Sequence, residues 1–167
     1  MAKEAAVRDG FKFSADYKTL LKYTGNASSV KIPSFVTSIG ADAFYKCSCL
    51  TSMNIPSSVT SIGDRAFWGC KTLTSVIIPS SLTSIGDRAF ENCSSLTSVE
   101  IPSSVTSIAD GAFQGCKSLT SVKIPSSVTN IGYWAFAGCV RLTSVTVPRN
   151  AQKGFGAFPS GCQVIRR

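Results

Sequence analysis

A 23-residue period runs through most of this chain and limits what it can fold into. Ile32, Ile55, Ile78, Ile101 and Ile124 each precede a proline, at Pro33, Pro56, Pro79, Pro102 and Pro125, and Val147-Pro148 repeats the pair. Phe44, Phe67, Phe90, Phe113 and Phe136 keep the same step, as do Cys47, Cys70, Cys93, Cys116, Cys139 and Cys162. A fixed period of roughly 20–50 residues marks stacked units, none of which buries its apolar face alone. Such a chain is a solenoid, in which each coil touches its neighbours and an extended surface does the work.

One unit shows how a coil turns. Val76 and Ile78 alternate with Ile77, the two-residue step of a strand. Pro79 then ends the ladder, because it has no N–H to donate. Leu82 to Ile85 reads as an extended stretch or turn. Gly86 marks a place where a side chain is unwelcome, and Asp87 is positioned to cap one short turn carrying Ala89 and Phe90. Corners are therefore expected at the proline, at the glycine and near the cysteine.

The pattern Leu-x-x-Val-x-Ile-Pro-x-x-Val-x-x-Ile-Gly-x-x-Ala-Phe-x-x-Cys resembles the BspA-like leucine-rich repeat family. Five copies begin at Ala27 (degenerate), Leu50, Leu73, Leu96 and Leu119, and a sixth from Leu142 fits in part. The resemblance covers about residues 27–167. It implies a leucine-rich-repeat solenoid of the α/β horseshoe class. Its parallel β-sheet would line the concave face, with short extended segments and single helical turns elsewhere. It also implies binding roles, among them adhesion to proteins or cell surfaces.

A stack has two open ends that need covers. Phe11 and Phe13 alternate with polar residues, Ser14-Ala15-Asp16 suits a turn, and Leu20 to Tyr23 is a second apolar run. Together they read as a hairpin cap, preceded by a short charged lead over residues 1–8. The last unit keeps Pro148, Cys162 and Ile165 in phase but replaces the middle of the motif, with Phe158 one position early. It reads as a degenerate cap in which Phe155 and Phe158 cover the final layer. The expected organisation is one domain over 1–167: lead and hairpin at 1–26, five repeats at 27–141, and a capping repeat at 142–167.

The net charge of +8 is unevenly placed. Residues 1–110 hold ten basic against nine acidic side chains, while Lys117, Lys123, Arg141, Arg149, Lys153, Arg166 and Arg167 follow with no acid. Such an end can attract an acidic protein, a nucleic-acid backbone or an anionic membrane surface, or serve only as a solvated basic end. Nucleic acid is the weaker reading, because no base-stacking motif accompanies the charge. No apolar run is long enough to span a membrane, and Met-Ala-Lys-Glu-Ala-Ala-Val-Arg lacks the apolar core of a signal peptide. The cysteine ladder reads as small buried thiols, which fits a reducing compartment. The chain as written is therefore expected to be intracellular and soluble, with a cell-surface or secreted place as the alternative. Two sequons, at Asn26 and Asn92, support that alternative weakly.

No cofactor or metal site is expected, and no catalytic one. The chain has no histidine, the commonest general base and zinc ligand. Its serines belong to repeated Pro-Ser-Ser and Thr-Ser elements, and no phosphate-cradling glycine loop occurs. The candidates are surface residues that vary on the constant framework. Lys31, Asn54, Ile77, Glu100, Lys123 and Thr146 stand between the Val and Ile of successive strands. Tyr133 and Trp134 follow a glycine where other coils are mostly polar, and Trp68 follows a repeated Phe. With Arg141 and Arg149, the aromatic pair would form a C-terminal docking patch, since exposed aromatics are enriched in interface hot spots. The expectation is a non-catalytic protein-binding module, with an intracellular scaffold subunit as the alternative.

Overall fold

Proline after the Val-x-Ile triplets, and glycine (once alanine, at Ala109) after the Ser-Ile pairs, cut the coils into short straight segments. The computed structural model describes residues 2–167, so Met1 of the charged lead lies outside the described residues. The chain starts with a helix, α1 (Ala2–Arg8), and a hairpin of β1 (Phe11–Phe13) and β2 (Thr19–Tyr23). Each coil then adds one longer and one two-residue strand. The pairs are β3 (Ser29–Lys31) with β4 (Ser38–Ile39), β5 (Ser52–Asn54) with β6 (Ser61–Ile62), and β7 (Ser75–Ile77) with β8 (Ser84–Ile85). They continue as β9 (Ser98–Glu100) with β10 (Ser107–Ile108), β11 (Ser121–Lys123) with β12 (Asn130–Ile131), and β13 (Ser144–Val147) with β14 (Gln152–Lys153). Strand β15 (Gln163–Arg166) ends the chain.

The coil therefore has three sides. The longer strands pair in parallel on the first, in register at one repeat, as in Ser52↔Ser75 and Ser98↔Ser121. The two-residue strands make a second parallel sheet, which the hairpin enters through β2 and β4. The stretch read from sequence as extended or turn is thus a sheet in its own right. The third side is a chain of tight turns rather than helical turns. Arg88 (φ 56°) and Asn92 (φ 60°) lie in the left-handed region, which prevents a helix from propagating. The amides of Arg88, Phe90 and Asn92 instead donate to the carbonyls of Asp110, Ala112 and Gln114 one coil on, at 2.7–2.8 Å.

The core follows from the period. Phe44, Phe67, Phe90, Phe113, Phe136 and Phe158 form one column of near-parallel rings, 4.9–5.4 Å between centroids. Tyr23 and Phe11 of the hairpin extend the column at its start. The cysteines do more than fill a corner. The thiols of Cys70, Cys93, Cys116 and Cys139 donate to the carbonyls of Phe44, Phe67, Phe90 and Phe113, at 3.1–3.2 Å. These four are free and buried, whereas Cys47, Cys49 and Cys162 are free and half-buried. Burial pushes the Cys93 thiol well above its ordinary range, and the Cys139 thiol together with burial does the same to Cys116. Cys47 rises to about 12 through burial and the adjoining Cys49 thiol.

Glycine at 63, 86, 132 and 154 serves close packing. A Cβ at Gly86 would lie 2.6 Å from the amide nitrogen of Asp64, and at Gly132 2.7 Å from that of Asp110. Ala109 occupies the same position in the coil between them. There both sheets lapse: β7 and β9 lie side by side without ladder pairing, as do β8 and β10. The amides of Gly63, Gly86, Gly132 and Gly154 donate to the preceding coil's isoleucine at 2.7–2.8 Å. Ala109 makes no such bond among the described residues. The ring spacing rises from 4.9 Å between Phe67 and Phe90 to 5.3 Å between Phe90 and Phe113, and stays at 5.3–5.4 Å in the coils beyond. Ala109 therefore coincides with the one boundary, among the described residues, at which neither sheet is paired.

The C-terminal coil departs from two expectations. Phe158 stacks on Phe136, but Phe155 is 79% exposed and covers nothing. Its segment is one residue short, Asn130 pairing with Gln152, and Phe155 falls in the outward-facing turn. Ile165 was expected in the phase of Leu142, yet it pairs with Thr146 and is exposed. Strand β15 starts directly after Cys162, so the usual link carrying the buried leucine is missing and the outward position moves onto Ile165. Arg166 closes this end, its Nη1 donating to the carbonyls of Arg149 and Ala151 at 2.7 and 3.0 Å.

Candidate functional site

Strand alternation puts every second residue of the first sheet outside. Lys31, Asn54, Ile77, Glu100 and Lys123 stand exposed in one row, with Thr146 half-buried at its end. Register sets Lys31 beside Asn54, Asn54 beside Ile77, and Glu100 beside Lys123. Lys123 and Glu100 form an exposed ion pair, and Ile77 is 62% exposed. The flanking threonines are less free than composition suggests. The hydroxyls of Thr51, Thr74, Thr97 and Thr120 each donate to a carbonyl of the preceding coil, at 2.9–3.3 Å. They fix a uniform ground on which the row is the variable part.

A second row lines the glycine corner. Asp42, Arg65, Arg88, Gly111 and Trp134 all have φ between 53° and 61°. Arg65 binds Asp42 at 3.0 Å. The carboxylates of Asp64, Asp87 and Asp110 accept the amides of Asp87, Asp110 and Tyr133 in the next coil, at 2.8–3.2 Å. Asp87 thus caps its neighbour's turn, where the sequence suggested its own. Tyr133 and Trp134 end this row with about half of each exposed. Gly156 backs onto the Trp134 indole, since a Cβ there would lie 2.7 Å from Cδ1.

The basic residues grouped with this aromatic pair stand elsewhere on the coil. Arg141 is exposed just past the cysteine corner, and Arg149 just past the proline corner. The Arg149 amide and carbonyl are tied to Arg167 and Arg166. The four residues share the last coils but occupy three corners of a three-sided cross-section.

Trp68 belongs to a surface that the charge count alone did not single out. Its ring stacks on Tyr45 at 4.9 Å and 11°, and the Lys46 ammonium lies 5.3 Å from both rings. Beside it runs a groove of about 710 Å³, lined by Lys46, Trp68, Lys71, Asn92 and Lys117 together with Ser48, Ser94, Gly69 and Gly115. Among the described residues, no group of three or more histidine, cysteine or acidic side chains is placed to hold a metal.

The family model described as the BspA type leucine-rich repeat region matches in six copies, over residues 17–143 and 83–163. The chain belongs to this family. A leucine-rich cell surface protein from Faecalibacterium prausnitzii is 35% identical, over 90% of this chain and 50% of that one, with a TM-score of 0.66. A leucine-rich repeat protein from Bacteroides ovatus is 29% identical over 93% and 47%, with a TM-score of 0.73. The leucine-rich repeat protein of T. pallidum is 28% identical over 93% and 82%, with a TM-score of 0.60. The chain thus spans about half the length of the first two structures. Among curated proteins none matches. No helix among the described residues is long and apolar enough to cross a membrane.

Proposed function

We propose that this BspA-type chain is a non-catalytic protein-binding module that works in adhesion at a cell surface. The observation that carries the reading is the row Lys31, Asn54, Ile77, Glu100, Lys123. Its side chains change from coil to coil on a framework whose core, corners and threonine hydroxyls stay constant. A surface that varies on a fixed ground suits recognition of a particular partner, and an exposed isoleucine between polar neighbours suits a contact centre. The 35% identity to a cell surface protein supports the location. Tyr133 and Trp134 are the second candidate contact, with Arg141 and Arg149 adding long-range attraction for an acidic partner.

The test is affinity capture of surface proteins from the native setting by the parent chain and by Ile77→Asp/Lys123→Glu, with folding checked by circular dichroism. A partner retained by the parent and weakened at least tenfold in the variant is expected. Equal retention by both would move the contact off the first sheet. Co-purification with one fixed set of cytoplasmic subunits would replace adhesion by a scaffold role.

A further inference from the structure

The groove beside Trp68 has a construction that the protein-binding reading leaves unused. Three outward rows run along the third side of the coil. Tyr45, Trp68, Glu91 and Gln114 form the first, Lys46, Gly69, Asn92 and Gly115 the second, and Ser48, Lys71, Ser94 and Lys117 the third. The middle row is left-handed throughout, with φ between 54° and 71°. Glycine at 69 and 115 leaves the floor without side chains, so the groove opens between Trp68 and the lysines. The Asn92 amide oxygen lies over Gly115, 2.4 Å from where a Cβ would stand.

Charge there is of one sign. Lys46, Lys71 and Lys117 make no ion pair among the described residues. The neighbouring acid, Glu91, is engaged by Arg88 at 3.7 Å and by the Asn92 amide at 3.4 Å. Lys71 and Lys117 sit at one phase two coils apart, on the order of 10 Å at the usual strand spacing. Duplex nucleic acid carries a phosphate every ~3.4 Å of each strand, which is denser than this. Stacking of successive bases also needs a series of aromatic platforms, and here one indole is available with Tyr45 already against it. An acidic peptide is held chiefly by clustered basic side chains, whereas here widely spaced lysines flank an indole, hydroxyls, one amide and glycine.

We infer that the groove binds an anionic polysaccharide, a pyranose polymer carrying uronate or sulfate groups. A sugar ring lies against the Trp68 indole through its C–H face, which the flat aromatic accepts as apolar surface. Asn92, Ser48 and Ser94 take ring hydroxyls, and Lys71 and Lys117 each take an anionic group from alternate sugars along the chain. Gly69 and Gly115 give the polymer room to lie against the backbone.

The experiment uses the full chain and four defined probes: size-fractionated polygalacturonate, dextran sulfate, polyglutamate and oligo-dT, with unsubstituted dextran as the neutral control. The variants copy residues that other coils already carry, so folding is retained. Trp68→Ala takes the residue of Ala137, and Lys71→Ser/Lys117→Ser takes that of Ser48 and Ser94. Gly115→Asn takes that of Asn92, which is left-handed in its own coil.

Calorimetric titration should show polygalacturonate or dextran sulfate binding at least tenfold tighter than polyglutamate and oligo-dT, and weakening with salt. Whichever of the two binds more tightly identifies the anionic group. Each of the three variants should cost at least tenfold, while Ile77→Asp on the first sheet should cost nothing. Absence of binding to both polysaccharides overturns the proposal. So does tighter binding of polyglutamate or oligo-dT, or polysaccharide binding that survives Trp68→Ala. Because the first-sheet variant is a control here, this result and the protein-binding test fail independently.

Discussion

The coils up to Cys93 and those from Leu96 onward share one sequence pattern, yet they form two differently joined blocks. In the first, the longer strands pair unbroken from β3 to β7, and the two-residue strands from the hairpin to β8. In the second, the two-residue strands regain their ladder from β10 to β14, while the longer strands pair only two at a time. Between the blocks, strand pairing lapses on both sheet sides. The aromatic column, the turn-side amides, the thiol of Cys116 on the Phe90 carbonyl, the bonds of Thr97 and Ser104 to the Thr74 and Leu82 carbonyls, and the Asp110 amide on the Asp87 carboxylate carry the connection. One methyl group on Ala109 marks the place. In a repeat, the positions that admit no Cβ set how closely coils can approach, and a single exception is felt along a whole layer.

The largest way to break the joint is Phe90→Ala, which removes the ring that spans it. Loss of a buried phenylalanine costs about 3–5 kcal/mol, and here it should also separate the blocks. The chain's two tryptophans report on one block each, Trp68 on the first and Trp134 on the second. In single-tryptophan versions of Phe90→Ala, the two denaturant midpoints should differ. Coincident midpoints would show that the joint is as strong as the rest of the stack.

Alkali should act next. Folded Cys93 and Cys116 hold their protons above the ordinary thiol range, for the causes given above. Above pH ~8.5 the unfolded chain sheds thiol protons that the folded chain keeps. The unfolded state then binds fewer protons, so stability falls as pH rises. Their contribution is fully present below that pH. Each thiol removes about 1.4 kcal/mol per pH unit above it, and Cys116 acts at the joint itself. Under reducing conditions, Cys93→Ala/Cys116→Ala should lose less stability than the parent between pH 8 and 10. Parallel pH profiles would contradict the buried-thiol account.

The smallest effects sharpen the contrast. Ala109→Gly should restore about two backbone bonds at ~1 kcal/mol each, offset by the ~0.5–1 kcal/mol entropic cost of glycine. A net gain of about 1 kcal/mol is expected, with closer agreement between the two tryptophan midpoints. Gly86→Ala should do the reverse, costing about 1–3 kcal/mol through overpacking and opening a lapse one coil earlier. If both substitutions were neutral, the Ala109 methyl would not be what holds the coils apart.

The parts of the fold visible in the sequence are those with a residue identity at every period. Phenylalanine, cysteine, proline and glycine announce the column, the thiol ladder and the corners. The second sheet was less visible because its strands have two residues, too few to show alternation. The left-handed positions at Arg65 and Arg88 were hidden because charged residues stand where glycine would have advertised them. Phe155 misled because composition identifies it as apolar, while a one-residue deletion turns it outward. In the candidate sites, the first-sheet row followed directly from strand alternation. The Trp68 groove did not, although aligning Ser48, Lys71, Ser94 and Lys117 at the repeat period would have exposed its lysines. The C-terminal residues share coils, but a triangular cross-section distributes them over three corners, which a linear reading does not resolve.

The lapse beside Ala109 also has a mechanical meaning. A chain held at both ends under tension is expected to yield where no strand ladder shares the load, and at the boundary between the third and fourth coils neither sheet is paired. Each coil that then unravels releases 23 residues, up to about 80 Å of extended chain, where it had occupied about 5 Å of stack. A repeat protein with one weak boundary would therefore lengthen stepwise from its middle and spread a pull over time, keeping its capped ends folded until last.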